Sequence, residues 1–261
     1  MTADAAYVEL WIRRFHRSAD AAVRLIAFPH AGASASYFFP MSESLAPTIE
    51  CGIVQYPARQ DRRSDPPIDD LMALADLVTE AVRPLADRPL AFFGHSMGAA
   101  LAFEVALRLE AGGVRPAMLF ASGRRSPTRP QEENVHRLDD AGVVREMRRL
   151  SGTDSRFLDD EELLAMILPA VRSDYTAIER YRMLPESRIS CPITVLTGDS
   201  DPRTSLADAE AWEEVTTGAF TQHVFRGGHF YLADHQSEVI NTITDALLPL
   251  ITGVRSSWRQ R

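Results

Sequence analysis

Leu90-Ala91-Phe92-Phe93-Gly94-His95-Ser96-Met97-Gly98-Ala99-Ala100-Leu101 is the stretch that decides the fold. It opens as a short unbroken apolar run, which is how a strand buried on both faces of a parallel sheet reads. It turns through Gly94-His95-Ser96-Met97-Gly98 and then takes up helical spacing, with Leu101, Val105 and Ala106 on one face as far as Leu109. As a bare pattern G-x-S-x-G carries little information. Between a strand and a helix it describes a nucleophile elbow, in which glycines let the backbone crowd around a strained serine. Such a turn presents Ser96 Oγ above the sheet edge, at the positive end of the helix dipole.

Outward from this unit, five more apolar runs stand out, over 23–28, 49–56, 117–121, 193–198 and 222–225. Segments with helical period lie between them. Residues 69–83 carry Leu71, Leu74, Leu77, Val78 and Val82, and residues 237–248 carry Ile240, Ile243 and Leu247. Strand alternating with helix predicts a mostly parallel, doubly wound α/β sheet. The rhythm breaks once, where roughly 70 residues separate the runs ending at Ala121 and starting at Ile193, far more than a crossover needs. Within that gap, 139–150 places Val143, Met147 and Leu150 on one face. Residues 159–168 bury Leu163, Leu164, Ile167 and Leu168, and helical spacing resumes after Pro169 through Val171, Tyr175 and Ile178. These segments predict a helical insertion at about 124–188 on a single domain spanning 1–261.

An elbow serine needs a base and an acid that orients it, in the chain order Ser, Asp/Glu, His. Of the seven histidines, His229 follows the last strand in Gly227-Gly228-His229-Phe230, at the sheet end where α/β folds carry their reactive groups. His223 falls within that strand, His235 reads as a cap or surface residue, and His30 braces the loop after the first run. The acid belongs to the loop after Ile193-Thr194-Val195-Leu196-Thr197-Gly198, where Asp199 and Asp201 compete; Pro202 locks Asp201, whereas Asp199 can cap the turn itself. The oxyanion of an acyl-transfer intermediate needs preorganised N–H donors. Met97 supplies one from the elbow. The loop Phe28-Pro29-His30-Ala31-Gly32-Ala33 supplies the second, from Ala31 or its neighbour Gly32.

Composition narrows the chemistry. The 28 basic residues are all arginine, so mechanisms that need a lysine amine are excluded. A net charge of −8 without a long basic run argues against a nucleic-acid binder. Cys51 and Cys191 sit in apolar strand segments and read as two buried thiols of a reducing compartment rather than a disulfide. No signal peptide or membrane-spanning run is evident, so a soluble cytoplasmic protein, away from membranes, is expected. Residues 255–261 read as a frayed basic terminus.

Five motifs together carry a family resemblance: Phe28-Pro29-His30-Ala31-Gly32-Ala33, Gln55-Tyr56-Pro57-Ala58-Arg59, the Ser96 elbow, Gly198-Asp199-Ser200-Asp201-Pro202 and Gly227-Gly228-His229-Phe230. In order and spacing they resemble the type II thioesterases, the stand-alone editing hydrolases of modular polyketide and non-ribosomal peptide synthases. The resemblance implies an α/β-hydrolase fold with a helical lid. It also implies a catalytic triad of Ser96, Asp201 and His229, with Asp201 chosen over Asp199. The expected activity is hydrolysis of stalled acyl groups from the phosphopantetheine thiols of acyl or peptidyl carrier proteins, by a monomer needing no metal or cofactor. Ala33 departs from a frequent family glycine, which matters only if that position requires a positive φ.

Two finer expectations follow. Met147, Leu150, Leu163, Ile167 and Tyr175 either line an acyl chamber or simply pack the lid onto the core. Docking to an acidic carrier falls to local arginines, with Arg59, Arg62 and Arg63 as one cluster and Arg124, Arg125 and Arg129 as another. The same scaffold also serves small-oxyester carboxylesterases and lipases, medium-chain fatty acyl thioesterases, and ligand-binding proteins without activity.

Overall fold

In a computed structural model, residues 3–150 and 157–253 are described. Seven strands form the central sheet: β1 (Ile12–Arg13), β2 (Val23–Phe28), β3 (Ile49–Val54), β4 (Leu90–His95), β5 (Met118–Ser122), β6 (Ile193–Gly198) and β7 (Phe220–Phe225). Their order is β1-β3-β2-β4-β5-β6-β7; β1 is antiparallel to β3 and every other pairing is parallel. All six residues of β2, β3, β4 and β6 are buried, as continuous apolar runs demand of central parallel strands. The last strand starts two residues earlier than its apolar run, because edge strand β7 carries alternating, partly exposed residues that periodicity alone does not mark.

The helices are α1 (Ala3–Trp11), α2 (Phe39–Leu45), α3 (Leu71–Val82), α4 (Met97–Ala111), α5 (Asp140–Leu150), α6 (Glu161–Arg180), α7 (Leu206–Glu210), α8 (Tyr231–Asp234) and α9 (Gln236–Ile251). They cover both faces of the sheet. Ile26, Phe28 and Phe92 pack with α1, α3 and α4 on one face. Leu25, Ala27, Ala91 and Phe93 pack with α2 and α9 on the other. This division is the period-2 alternation of a strand made spatial. Asp70 caps α3 by accepting from the Met72 and Ala73 amides, which explains why that helix starts where it does.

Helices α5 and α6 fill the long connection between β5 and β6. The two apolar patterns on either side of Pro169 belong to one helix, Glu161–Arg180. Leu168, Val171 and Tyr175 of α6 pack with Val143 of α5 and with Val135 in a satellite core above the sheet. Leu163, Leu164 and Ile167, expected to be buried, are only half-buried. Cys51 and Cys191 are free, buried thiols. Burial pushes each thiol up to about 12. No helix among the described residues is long and apolar enough to cross a membrane. The basic 255–261 segment lies outside the described residues.

The chain runs from β2 outward to β3, then returns to the other side of β2 with β4. The two strands that part company, β2 and β4, pair with Phe28 opposite Gly94. The crevice beyond their C-terminal ends is the topological switch point of the sheet, where open α/β folds hold their ligands.

Candidate active site

Ser96 sits in that crevice, one residue beyond β4 and immediately before α4. Its φ of 55° and ψ of −117° lie well outside the ordinary L-residue basins. The strain is held from both sides. The Ser96 amide donates to the Ser122 carbonyl at 2.8 Å, so the neighbouring strand fixes the turn. The two elbow glycines are required by crowding: a Cβ on Gly94 would overlap the Gly98 carbonyl, and one on Gly98 would overlap the Phe28 carbonyl oxygen. This close approach brings the first turn of α4 beside the loop that follows β2.

The loops after β6 and β7 converge on the serine. His229 Nε2 lies 2.9 Å from Ser96 Oγ, and its Nδ1 lies 2.9 Å from Asp201 Oδ2. The three side chains thus form one hydrogen-bonded chain, with the imidazole and the carboxylate both buried. The other Asp201 oxygen, Oδ1, accepts from the Arg203 amide at 2.8 Å, which fixes the carboxylate. Asp199 points elsewhere, accepting from the Gly227 amide and from Ser200 Oγ, both at 2.9 Å. Those bonds hold its carboxyl below the usual range. It braces the His229 loop against the Asp201 loop. Gly198 completes the brace, since a Cβ there would overlap the carbonyl oxygens of Gly227 and Gly228.

The two histidines nearest His229 are kept out of the chemistry by their surroundings. His95 Nδ1 is 2.9 Å from Ser122 Oγ, which is in turn 2.7 Å from the Tyr231 hydroxyl. Burial, followed by the charge of His229, pushes its pKa well down. His30 packs edge-on against Tyr37 and Phe230. Burial first, then the charges of His229 and Arg59, lowers it to about 3. Both rings stay neutral at neutral pH, and His30 is a brace of the loop.

Met97 N–H heads α4 and has no carbonyl four residues back to bond. On the facing loop, the Gly32 amide is already committed, donating to Asp174 Oδ2 of α6 at 2.7 Å. The Ala33 amide donates to the His30 carbonyl at 3.1 Å. Of the two donors left open by the sequence, Ala31 is the one whose N–H makes no hydrogen bond among the described residues. The positive φ of this loop falls at Gly32 (81°) and not at Ala33, so alanine is accommodated.

Two cavities lie at and beside the site. A cavity of about 340 Å³ is lined by Ala31, Gly32, Tyr37, Met147, Leu150, Ile167 and Tyr175, among others. A smaller one, about 40 Å³, is bounded by Ser96, Met97, His229, Arg124, Glu133 and Arg203. His30, Ala31, Leu150, Tyr175 and Phe230 border both. Four of the five expected chamber residues therefore face the cavities, while Leu163 does not line either.

The arginine clusters behave differently from expectation. Arg59 is buried and ion-paired with Asp174, the residue that also holds Gly32. Arg62 is buried over the Trp11 ring, its guanidinium 4.2 Å from the centroid. Arg125 is buried and bonds Glu133 Oε1 at 2.8 Å. Arg129, exposed, pairs with Glu214. These four side chains are bonded or stacked within the chain, whereas Arg63 of the first cluster is exposed and Arg124 of the second is half-buried. Asp174 is a residue the sequence reading missed. Its signal was there: a carboxylate on the same α6 face as Val171, Tyr175 and Ile178 requires a buried partner. Among the described residues no group of three His, Cys, Asp or Glu side chains is placed to hold a metal ion.

Comparison with known proteins adds to this geometry. The thioesterase domain family matches residues 23–247. A Streptomyces griseus protein named "Probable cadicidin biosynthesis thioesterase" is 53% identical over 239 residues, covering 92% of this chain and 66% of that protein. The chain thus spans just under two thirds of that relative's length. Thioesterase PikA5 of Streptomyces venezuelae is 51% identical over 241 residues, covering 92% of this chain and 86% of the relative. Among solved structures, the type II thioesterase BorB from the borrelidin biosynthetic cluster superposes with a TM-score of 0.86 at 44% identity, covering 91% of this chain and 98% of BorB.

Proposed function

The chain belongs to the thioesterase domain family, and on that footing we propose that it is a stand-alone thioester hydrolase of polyketide or non-ribosomal peptide biosynthesis. Its substrates are stalled or aberrant acyl groups on the phosphopantetheine thiols of acyl or peptidyl carrier proteins. The relatives named for such pathways support this reading. The observation that carries it is the unbroken Asp201–His229–Ser96 hydrogen-bond chain, facing a small pocket at the switch point of the sheet.

In this reading Ser96 Oγ attacks the thioester carbonyl while His229 Nε2 takes its proton. Asp201 holds the tautomer that keeps the proton on Nδ1 and stabilises the imidazolium. The oxyanion is received by the Met97 and Ala31 N–H groups, each worth on the order of 10²–10³ in rate in comparable enzymes. Collapse of the intermediate expels pantetheine thiolate, whose conjugate acid has a pKa of about 8.5, so little proton donation is needed. His229 then activates water to release the acid from Ser96. None of these steps calls on a metal or a redox cofactor.

We assign residues 1–261 to one α/β-hydrolase domain, with 124–188 as its lid, acting as a cytoplasmic monomer. Two buried free thiols suit that compartment. The test is kcat/KM for one acyl group presented as carrier thioester, as coenzyme A thioester and as a small oxyester. A preference for the carrier thioester is expected; a preference for the oxyester would reassign the enzyme as a carboxylesterase.

A further inference from the structure

Tyr175 of α6 borders both the pocket that holds Ser96 and the 340 Å³ cavity beside it. Its ring is fixed on two sides. It belongs to one apolar cluster with Val143, Leu168 and Val171. The Arg203 guanidinium lies 6.0 Å from the ring centroid and is itself held by Glu133 at 2.5 Å and by Glu146 at 3.0 Å. Only 9% of the residue is exposed. Its hydroxyl nevertheless makes no hydrogen bond among the described residues, although a buried tyrosine hydroxyl usually finds a partner. Burial first, with the charge of Arg203 opposing and those of Glu146, Glu179 and Glu133 assisting, pushes its pKa up to about 12. The group is therefore a neutral donor at neutral pH.

The other polar groups around the larger cavity are engaged, sealed off or further from the serine. Ser34 Oγ and Ser36 Oγ are 2.8 Å apart, and Ser36 Oγ accepts from Gln60 Nε2 at 2.9 Å. The Gly32 amide donates to Asp174 and the Ala33 amide to the His30 carbonyl. His30 Nδ1 also lacks a partner, but it is buried within the protein and meets neither cavity. Tyr37 lines the larger cavity but not the pocket on Ser96. Tyr175 is thus the unengaged hydroxyl beside the reacting centre.

In a pantetheine thioester the first amide follows the sulfur after two methylene groups. The pocket on Ser96 is too small for the whole arm: its 40 Å³ admits on the order of three water-sized groups, at about 10–15 Å³ each. The arm therefore takes the 340 Å³ cavity, and its first amide passes the residue that borders both spaces. We propose that Tyr175 is a substrate-binding residue whose hydroxyl donates to the carbonyl of that amide and so positions the thioester for Ser96. The inference rests on the thioesterase reading and deepens it. The recognised group is the amide shared by carrier, coenzyme A and N-acetylcysteamine thioesters, and absent from a simple alkyl thioester.

The experiment measures thiol release by wild type and Tyr175→Phe from three butyryl thioesters of equal chain length: N-acetylcysteamine, 4-oxopentyl and pentyl. The first carries the amide, the second its carbonyl without the N–H, and the third neither. Tyr175→Phe removes no hydrogen bond within the protein, so the fold is kept. The N-acetylcysteamine-to-pentyl ratio of kcat/KM should fall about three- to tenfold in Tyr175→Phe, the worth of one neutral hydrogen bond. The 4-oxopentyl-to-pentyl ratio should fall with it. A merely structural tyrosine would lower all three rates together, and such unchanged ratios overturn the proposal. A fall confined to the N–H-bearing thioester overturns it too, since the hydroxyl would then be an acceptor. With Ser96-dependent turnover intact, either result defeats the role of Tyr175 alone. Absence of Ser96-dependent turnover of all three would defeat the thioesterase reading itself, and the proposal with it.

Discussion

Asp174 Oδ2, on helix α6, accepts at once from the Gly32 amide at 2.7 Å and from the Arg59 guanidinium. One carboxylate therefore ties α6 to the loop that carries the Ala31 N–H, and neutralises a buried arginine as it does so. Removing it leaves Arg59 buried without its counter-charge, a change that typically costs about 3–5 kcal/mol. Asp174→Ala should lower unfolding stability by that order, read as a shift in the urea midpoint, and lower kcat in the fraction that stays folded. A variant as stable as wild type would show that the pair contributes nothing.

The two aspartates of the loop after β6 are separable by mutation. Asp201 alone reaches His229, whereas Asp199 bonds the Gly227 amide and Ser200. Asp201→Asn keeps the shape but favours the wrong imidazole tautomer, an exchange that costs about 10⁴ in kcat in a serine protease triad. A loss of about 10³–10⁴ is expected here, against a loss within about tenfold for Asp199→Asn. Steady-state kinetics on one acyl thioester decides it; a larger loss at Asp199 would reverse the assignment.

Glu133 gives the fold an acid sensitivity. Burial opposes its ionisation, but the Arg125 hydrogen bond and the charges of Arg203 and Arg124 prevail, and its pKa falls to about 2. A carboxylate whose folded pKa lies below its unfolded value of about 4.5 stabilises the native state above pH 4.5. That contribution is lost as pH falls from about 4.5 towards 2. Glu133→Gln should therefore be less stable at pH 7, and its stability should change less with pH across that window. Denaturant midpoints at pH 7, 5, 4 and 3 measure both effects. Parallel pH profiles for the two proteins would contradict this account of Glu133.

What was legible in the sequence was mostly local. Strand β4, the elbow and helix α4 are consecutive, and their apolar run, glycine spacing and helical period each report on one short segment. His229 could be named, and the acid narrowed to Asp199 or Asp201, because both loops follow apolar runs that end at the same sheet edge; the family resemblance chose Asp201. What stayed hidden depends on partners distant in the chain. Arg59 and Arg125 looked like surface charge because nothing nearby in sequence marks their partners, Asp174 and Glu133, as the ones they meet. Arg124 and Arg125 are neighbours with the same side chain, yet Arg125 is bonded to Glu133 and Arg124 borders the pocket that holds Ser96. Composition and spacing do not separate such a pair; only the packing of β5, α6 and the loop after β6 does. The Gly32 amide illustrates the same point on a finer scale, since its bond to Asp174 is what leaves Ala31 as the open donor.

The central claim is that Ser96 carries the acyl group between carrier thiol and water. Intact-protein mass spectrometry of an acyl-loaded carrier mixed with enzyme, sampled through a single turnover, tests it most directly. The account predicts that the wild type returns the carrier to its free-thiol mass and transiently gains one acyl group on the peptide containing Ser96. Ser96→Ala should leave the carrier loaded and gain nothing. Unloading of the carrier by Ser96→Ala at the wild-type rate, or an acyl adduct on a residue other than Ser96, would contradict it.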